Sequence, residues 1–206
     1  MEISIIALII TAISGPLLTL AVKEYFDYIE KQREREYEIK KLFIQRKMET
    51  AENAVKLWES QRRVLQILSG LYEEAIRSPS FGASKHFQEL NKQYTDQLND
   101  LTKQAHETTN AVHLYYDIKE EYLEGQSIYQ LTGDMHEVNS EIQIISQLQR
   151  DEPQHKDGYE KLMDGKIEEV IEIMVKISKA LKQSDAYLLE CILLLKKEIG
   201  LIFPST

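Results

Sequence analysis

The chain has 206 residues, of which 43% are hydrophobic and 29% charged, the balance of a folded protein and not of a disordered tail. Only 8 glycines and 4 prolines interrupt it, which favours long helices, and the single cysteine, Cys191, rules out an intramolecular disulfide and gives no sign of an oxidising compartment. The formal net charge of −9 is uneven: Glu2 gives −1, residues 23–47 give +2 (eight Lys/Arg against six acids), and residues 48–206 therefore give −10, a body that repels phosphate backbones and excludes a general nucleic-acid binder.

The first element is the run from Ile3 to Val22, twenty residues without a charge. At about 1.5 Å per residue it would span roughly 30 Å as a helix, the thickness of a bilayer's hydrocarbon core. A cleaved export signal is the weaker alternative, because only Glu2 precedes the run and no basic n-region exists. The core helix of a soluble bundle is the other alternative, but only Ser4, Thr11, Ser14 and Thr19 break the apolar character of the run. The sequence thus predicts a transmembrane anchor over residues 1–22 and contact with membrane lipid through residues 3–22. A mid-depth bend is expected at Gly15-Pro16, because Pro16 removes the backbone hydrogen bond to Ala12.

Lys23, Lys31, Arg33, Arg35, Lys40 and Lys41 follow the run, continued by Arg46 and Lys47, and none precedes it. Basic residues favour the cytoplasmic side, so the expected topology is single-pass, with the N-terminus outside and the remainder in the cytoplasm. Tyr25 and Tyr28 stand where an interfacial aromatic belt would lie.

Beyond the anchor, apolar residues recur at three- and four-residue intervals through Phe43, Ala54, Leu57, Val64, Leu68, Leu71 and Ala75, which predicts a helix over 23–77, ending at Ser78-Pro79. Ser84 is the expected N-cap of a second helix over 84–124, with a near-heptad stripe from Phe87 through Leu98, Ala105 and Val112. Gly125 and Thr132-Gly133-Asp134 disturb the pattern, so residues 126–150 form either a short third helix or a kinked continuation. A loop at Asp151–Gly158 precedes a last helix over 158–200, marked by Val170, Met174, Ile177, Leu181, Leu188, Cys191 and Leu195.

The predicted fold is therefore all-α: a transmembrane helix continuing into an elongated antiparallel, coiled-coil-like bundle of three or four long helices. In an up-down-up-down order the end of the chain returns toward the bilayer, where Leu201-Ile202-Phe203 either touches the interface or plugs the core.

Chemical motifs are lacking: no glycine-rich phosphate loop, nucleophile elbow, zinc-protease helix or calcium loop occurs. His106 and His113 lie two turns apart with Asp117 four residues beyond, but no Glu-x-x-His pair accompanies them, so neither a metal nor another cofactor is expected. Tyr115, Tyr116 and Tyr122 are read as core-boundary rings, Trp58 as a core or edge residue and Cys191 as an inert packing residue. The functional expectation is a membrane-anchored, non-enzymatic scaffold whose bundle self-associates into a homo-oligomer or holds a protein partner, with no small-molecule substrate. The alternative is a pore component whose first helices assemble in the bilayer.

Overall fold

The computed structural model describes the backbone of residues 2–118 and 127–202, and side chains at 20, 22–118 and 127–200. The chain divides into two units, residues 1–49 and 50–206. Helix α1, Glu2–Arg77, supplies the described part of the first unit and the first helix of the second.

In the second unit α1 ends where the sequence says it must, because Pro79 disfavours helical backbone at Ser78, whose φ and ψ are −130° and 89°. A single turn, α2 (Pro79–Gly82), leads to α3 (Lys85–His113), capped by the Ser84 hydroxyl accepting from the Phe87 N–H at 3.1 Å. Gly82 lies close against α1, where a Cβ on it would be 3.2 Å from the Cβ of Ala75. Helix α4 (Ile128–Asp151) opens with a capping box. The Ser127 hydroxyl accepts from the Gln130 N–H, and the Gln130 side chain accepts from the Ser127 N–H. After a 3-10 turn at Pro153–His155, α5 runs from Lys156 to Ile202. The Tyr159 hydroxyl clamps this corner by donating to the Glu152 carboxylate at 2.8 Å.

Contacts fix the directions. Glu59 pairs with Lys196, Arg62 with Asp185 and Ser69 with Ser178, so α5 runs antiparallel to α1. Gln61 with Thr102, and Tyr72 with Phe87, make α3 antiparallel to α1 as well. Glu141 with Lys166 makes α4 and α5 an antiparallel hairpin. The order is up-down-up-down, the four-helix form of the two that the sequence allowed.

Two apolar clusters fill this bundle. The first joins Leu65, Leu68 and Tyr72 of α1 to Phe87 of α3, Leu131 and Met135 of α4, and Ile177 and Leu181 of α5. The second joins Ala51, Ala54 and Trp58 of α1 to Val112, Tyr116, Ile118 and the Cys191, Ile192, Leu195 face of α5. Cys191 is thus a core residue, as its place in the apolar stripe of α5 predicts, and Trp58, for which the sequence allows core packing or an edge contact, is buried while Leu57 of the predicted stripe is only half-buried. From Asn139 to Glu172 no residue is buried, and within this stretch only Ile142 and Val170 pack, half-buried, against the first cluster.

The expected membrane span is corrected. Among the described residues no helix is long and apolar enough to cross a membrane. Within the described residues α1 passes through residues 22 and 23 without a boundary into a stretch where fourteen of the twenty-five residues from Lys23 to Lys47 are charged, so no described part of it has the uncharged length that a span needs. With the span go the N-out, single-pass topology, the lipid contact of residues 3–22, and the bilayer toward which the chain end was expected to return. Ile3, Ala12, Gly15 and Pro16, with the bend expected there, belong to α1 but fall outside the residues whose side chains are described, as do Leu201 to Phe203.

Other departures are local. Helix α3 stops at His113 and not near residue 124, because the N–H groups of Tyr115 and Tyr116 both turn back to the Val112 carbonyl and carry Tyr116 and Ile118 into the second cluster. Tyr122 and Gly125 lie outside the described residues. Gly158 is inside α5, and the predicted loop is correspondingly shorter.

Gly70 offers a clean test of helix propensity. It is exposed in α1, and an added Cβ meets nothing within 4 Å. Gly70→Ala should raise the unfolding free energy by about 1 kcal/mol, read from the urea midpoint at constant slope.

Candidate interaction surface

Among the described residues two places could engage something outside the molecule, and the chemistry of the first is already satisfied. A groove of about 310 Å³ between α1 and α5 is lined by Leu65, Gln66, Ser69, Gly70, Glu73, Leu181, Lys182 and Asp185. Its charged groups pair across the groove. The Arg62 guanidinium donates to both Asp185 oxygens, at 2.8 and 3.4 Å, and the Gln66 amide also donates to them, at 3.3 and 3.2 Å. Lys182 holds Glu73, and the Ser69 and Ser178 hydroxyls meet at 3.4 Å. Hydrogen bonding and then Coulombic attraction from Lys182 keep the Glu73 carboxyl below its ordinary pKa, and Lys196 does the same for Glu59. This stability is present above the ordinary carboxyl pKa and is lost as the pH falls through the depressed values. The groove is a polar seam that fixes the register of α1 on α5, with neither a nucleophile nor a general base left unengaged in it.

Beside this seam Tyr72 is buried, and burial pushes its hydroxyl up to about 12 from 10.0, partly offset by a hydrogen bond from Asn91. A raised folded pKa stabilises the fold below the unfolded value and loses that stability as pH rises through it. Unfolding free energy should therefore fall by about 2 kcal/mol between pH 10 and 12. In Tyr72→Phe most of that slope should disappear, as followed by denaturant titration at each pH.

The second place is the described part of the first unit. Between Leu20 and Arg46 every described residue except Ile29 is exposed, although the stretch is rich in large hydrophobic side chains. Tyr25 and Phe26 are each 63% exposed, Tyr37 69% and Ile39 66%, whereas the apolar stripe residues of the second unit fall to a few per cent. At about 100° per residue, Val22, Phe26, Ile29, Tyr37, Ile44 and Met48 fall within about 100° of one another around the helix. Glu30, Arg33, Lys40 and Lys47 are the polar members of this seam, Glu30 and Lys47 at its edges. Tyr28, Ile39 and Leu42 form a smaller group on the opposite side.

The predicted basic residues Lys23, Lys31, Arg33, Arg35, Lys40 and Lys41 are all exposed on this same helix, as is Val22. They are spread around its circumference and do not gather on one face: Arg33 and Lys40 sit in the apolar seam, and Lys31 and Arg35 point away from it. The histidines form no centre either. His106 is exposed, His113 closes α3, and among the described residues no three His, Cys, Asp or Glu side chains could hold a metal ion.

Sequence reasoning did not find the seam. Its signal, apolar residues at 22, 26, 29, 37, 44 and 48, is diluted by Arg33 and Lys40 and overshadowed by the stronger apolar run before it. No known protein family matches the chain, and neither does any curated protein or solved structure.

Proposed function

We propose that this protein acts by binding a helix of a protein along the seam from Val22 to Met48, and that it is not an enzyme. The anchored scaffold and the bilayer pore expected from sequence are both set aside, since each needed the membrane span corrected above. The observation that carries the reading is the exposure of this stretch. A helix that buries nothing is marginal in water, because most helical stability in proteins comes from packing an amphipathic face. Residues 22–46 keep such a face and, Ile29 apart, leave it uncovered, while the same helix beyond residue 50 buries its own.

Seam composition agrees with a protein partner. Aromatic and branched side chains supply contact area, and Arg33 and Lys40 supply direction by requiring opposite charge or an aromatic face across from them. The second unit then serves as a self-sufficient bundle that carries the seam.

A photoreactive phenylalanine analogue at position 26 of the full chain, activated in cells, tests this. The reading predicts adducts of discrete mass to protein, and far fewer from the same probe at Lys31, which points away from the seam. No protein adduct at position 26, or equal yields at both positions, overturns it.

A further inference from the structure

Resting on that reading, we infer that the partner is a second copy of this chain, paired antiparallel along residues 22–48. The seam complements itself in charge. From Glu24 to Glu38 there are six acids and three bases, a net −3, whereas from Lys40 to Arg46 there are three bases and no acid. Two such helices laid antiparallel put the acidic part of each on the basic part of the other.

Most residues of the seam obey the same symmetry; Ile29, which falls opposite Lys41, and Lys47, which falls opposite Lys23, do not. Pairing positions whose numbers sum to 70 sets Val22 opposite Met48 and Phe26 opposite Ile44, so each apolar end meets an apolar end. The same register sets Arg33 across from Tyr37, an aromatic face suited to a guanidinium, and Lys40 across from Glu30, at the edge of the seam. A parallel, in-register pair does the reverse. It stacks Arg33 on Arg33 and Lys40 on Lys40 within an apolar seam, where like charges repel most strongly. Polar residues inside a helix seam commonly set register and direction in this way.

Full-length Phe26→Cys and Ile44→Cys chains, mixed and oxidised, test the direction. Cys191 is 3% exposed and does not compete. The inference predicts a disulfide between the two different variants and little between copies of the same one. Disulfides mainly between identical variants mean a parallel pair and overturn it, as does the absence of any disulfide. Register is read separately by sedimentation equilibrium. Lys40→Glu should weaken dimerisation about tenfold, and Glu30→Lys combined with Lys40→Glu should restore it; no rescue overturns the register. If no dimer forms but the probe at position 26 still yields a discrete adduct to another protein, this inference falls and the proposed function stands. If both fail, both are overturned.

Discussion

Trp58→Ala is expected to lower the unfolding free energy by about 3–5 kcal/mol, a large part of a typical domain's stability. The indole is 4% exposed and sits where three segments meet: Ala51 and Ala54 on its own helix, Val112 and Tyr116 at the end of α3, and Ile192 and Leu195 on α5. Its alanine neighbours, both at 0% exposure, have no bulk with which to collapse into the space. A cavity therefore remains, and its surface adds to the lost transfer energy. Intrinsic fluorescence would follow the wild type but not the variant, so circular dichroism through a urea titration is the measurement, with an unchanged slope showing that the unfolded state is not what moved.

Leu181→Ala should cost about 3 kcal/mol by the same measurement, within the range of about 2–5 for buried leucines. Leu181 is at 0% exposure in the first cluster, against Leu65 and Leu68 of α1, and it underlies the polar groove of Gln66, Glu73 and Asp185. Removing it loosens the floor on which those hydrogen bonds rest, so the effect should exceed that of an equally large but exposed residue. Leu162, 57% exposed in the outer α4–α5 hairpin, is the control, and Leu162→Ala should change stability by less than about 0.5 kcal/mol.

These positions also show what the sequence could and could not say. Ser84 and Pro79 announce a helix start and a helix stop because each acts locally, one as a hydroxyl acceptor and one through φ and a missing N–H. Val64, Leu68, Ala75, Met174, Ile177, Leu181 and Leu195 are legible as core, since burial on one side of a helix imposes a period that survives in the sequence. Ile142, Ile145 and Leu148 continue the same period as Leu131, Met135 and Val138, yet none of the three is buried, because the other helices end before the hairpin does. Periodicity reports which side faces a neighbour and not how far the neighbour extends.

One start signal was present but unread. Ser127-Ile128-Tyr129-Gln130 is a capping box, and it settles that α4 is a separate helix and not a kinked continuation of α3. The end of α3 at His113, by contrast, carries no glycine or proline and follows from the tertiary demand for Tyr116 and Ile118 in the second cluster. The largest departure, the first segment, arises because length and absence of charge are an incomplete criterion. They describe a stretch of chain, whereas the described part of the 76-residue helix to which it belongs is heavily charged and holds no span. The candidate surface is hidden by the same emphasis. A seam broken by Arg33 and Lys40 is inconspicuous as hydropathy, and only its exposure, against the burial of the stripe residues farther along α1, makes it stand out.

The central claim is that residues 22–48 are a docking seam that becomes covered, while the bundle beyond residue 50 stands by itself. Amide hydrogen exchange of the full chain by mass spectrometry, at high and low protein concentration, addresses it most directly. The expected result is protection over Val22–Met48 that is lost on dilution and in Phe26→Glu combined with Ile44→Glu, with protection around Leu65–Tyr72 and Ile173–Leu181 unchanged in both. Protection over Val22–Met48 that ignores dilution and substitution alike, or that is absent at every concentration, would contradict it.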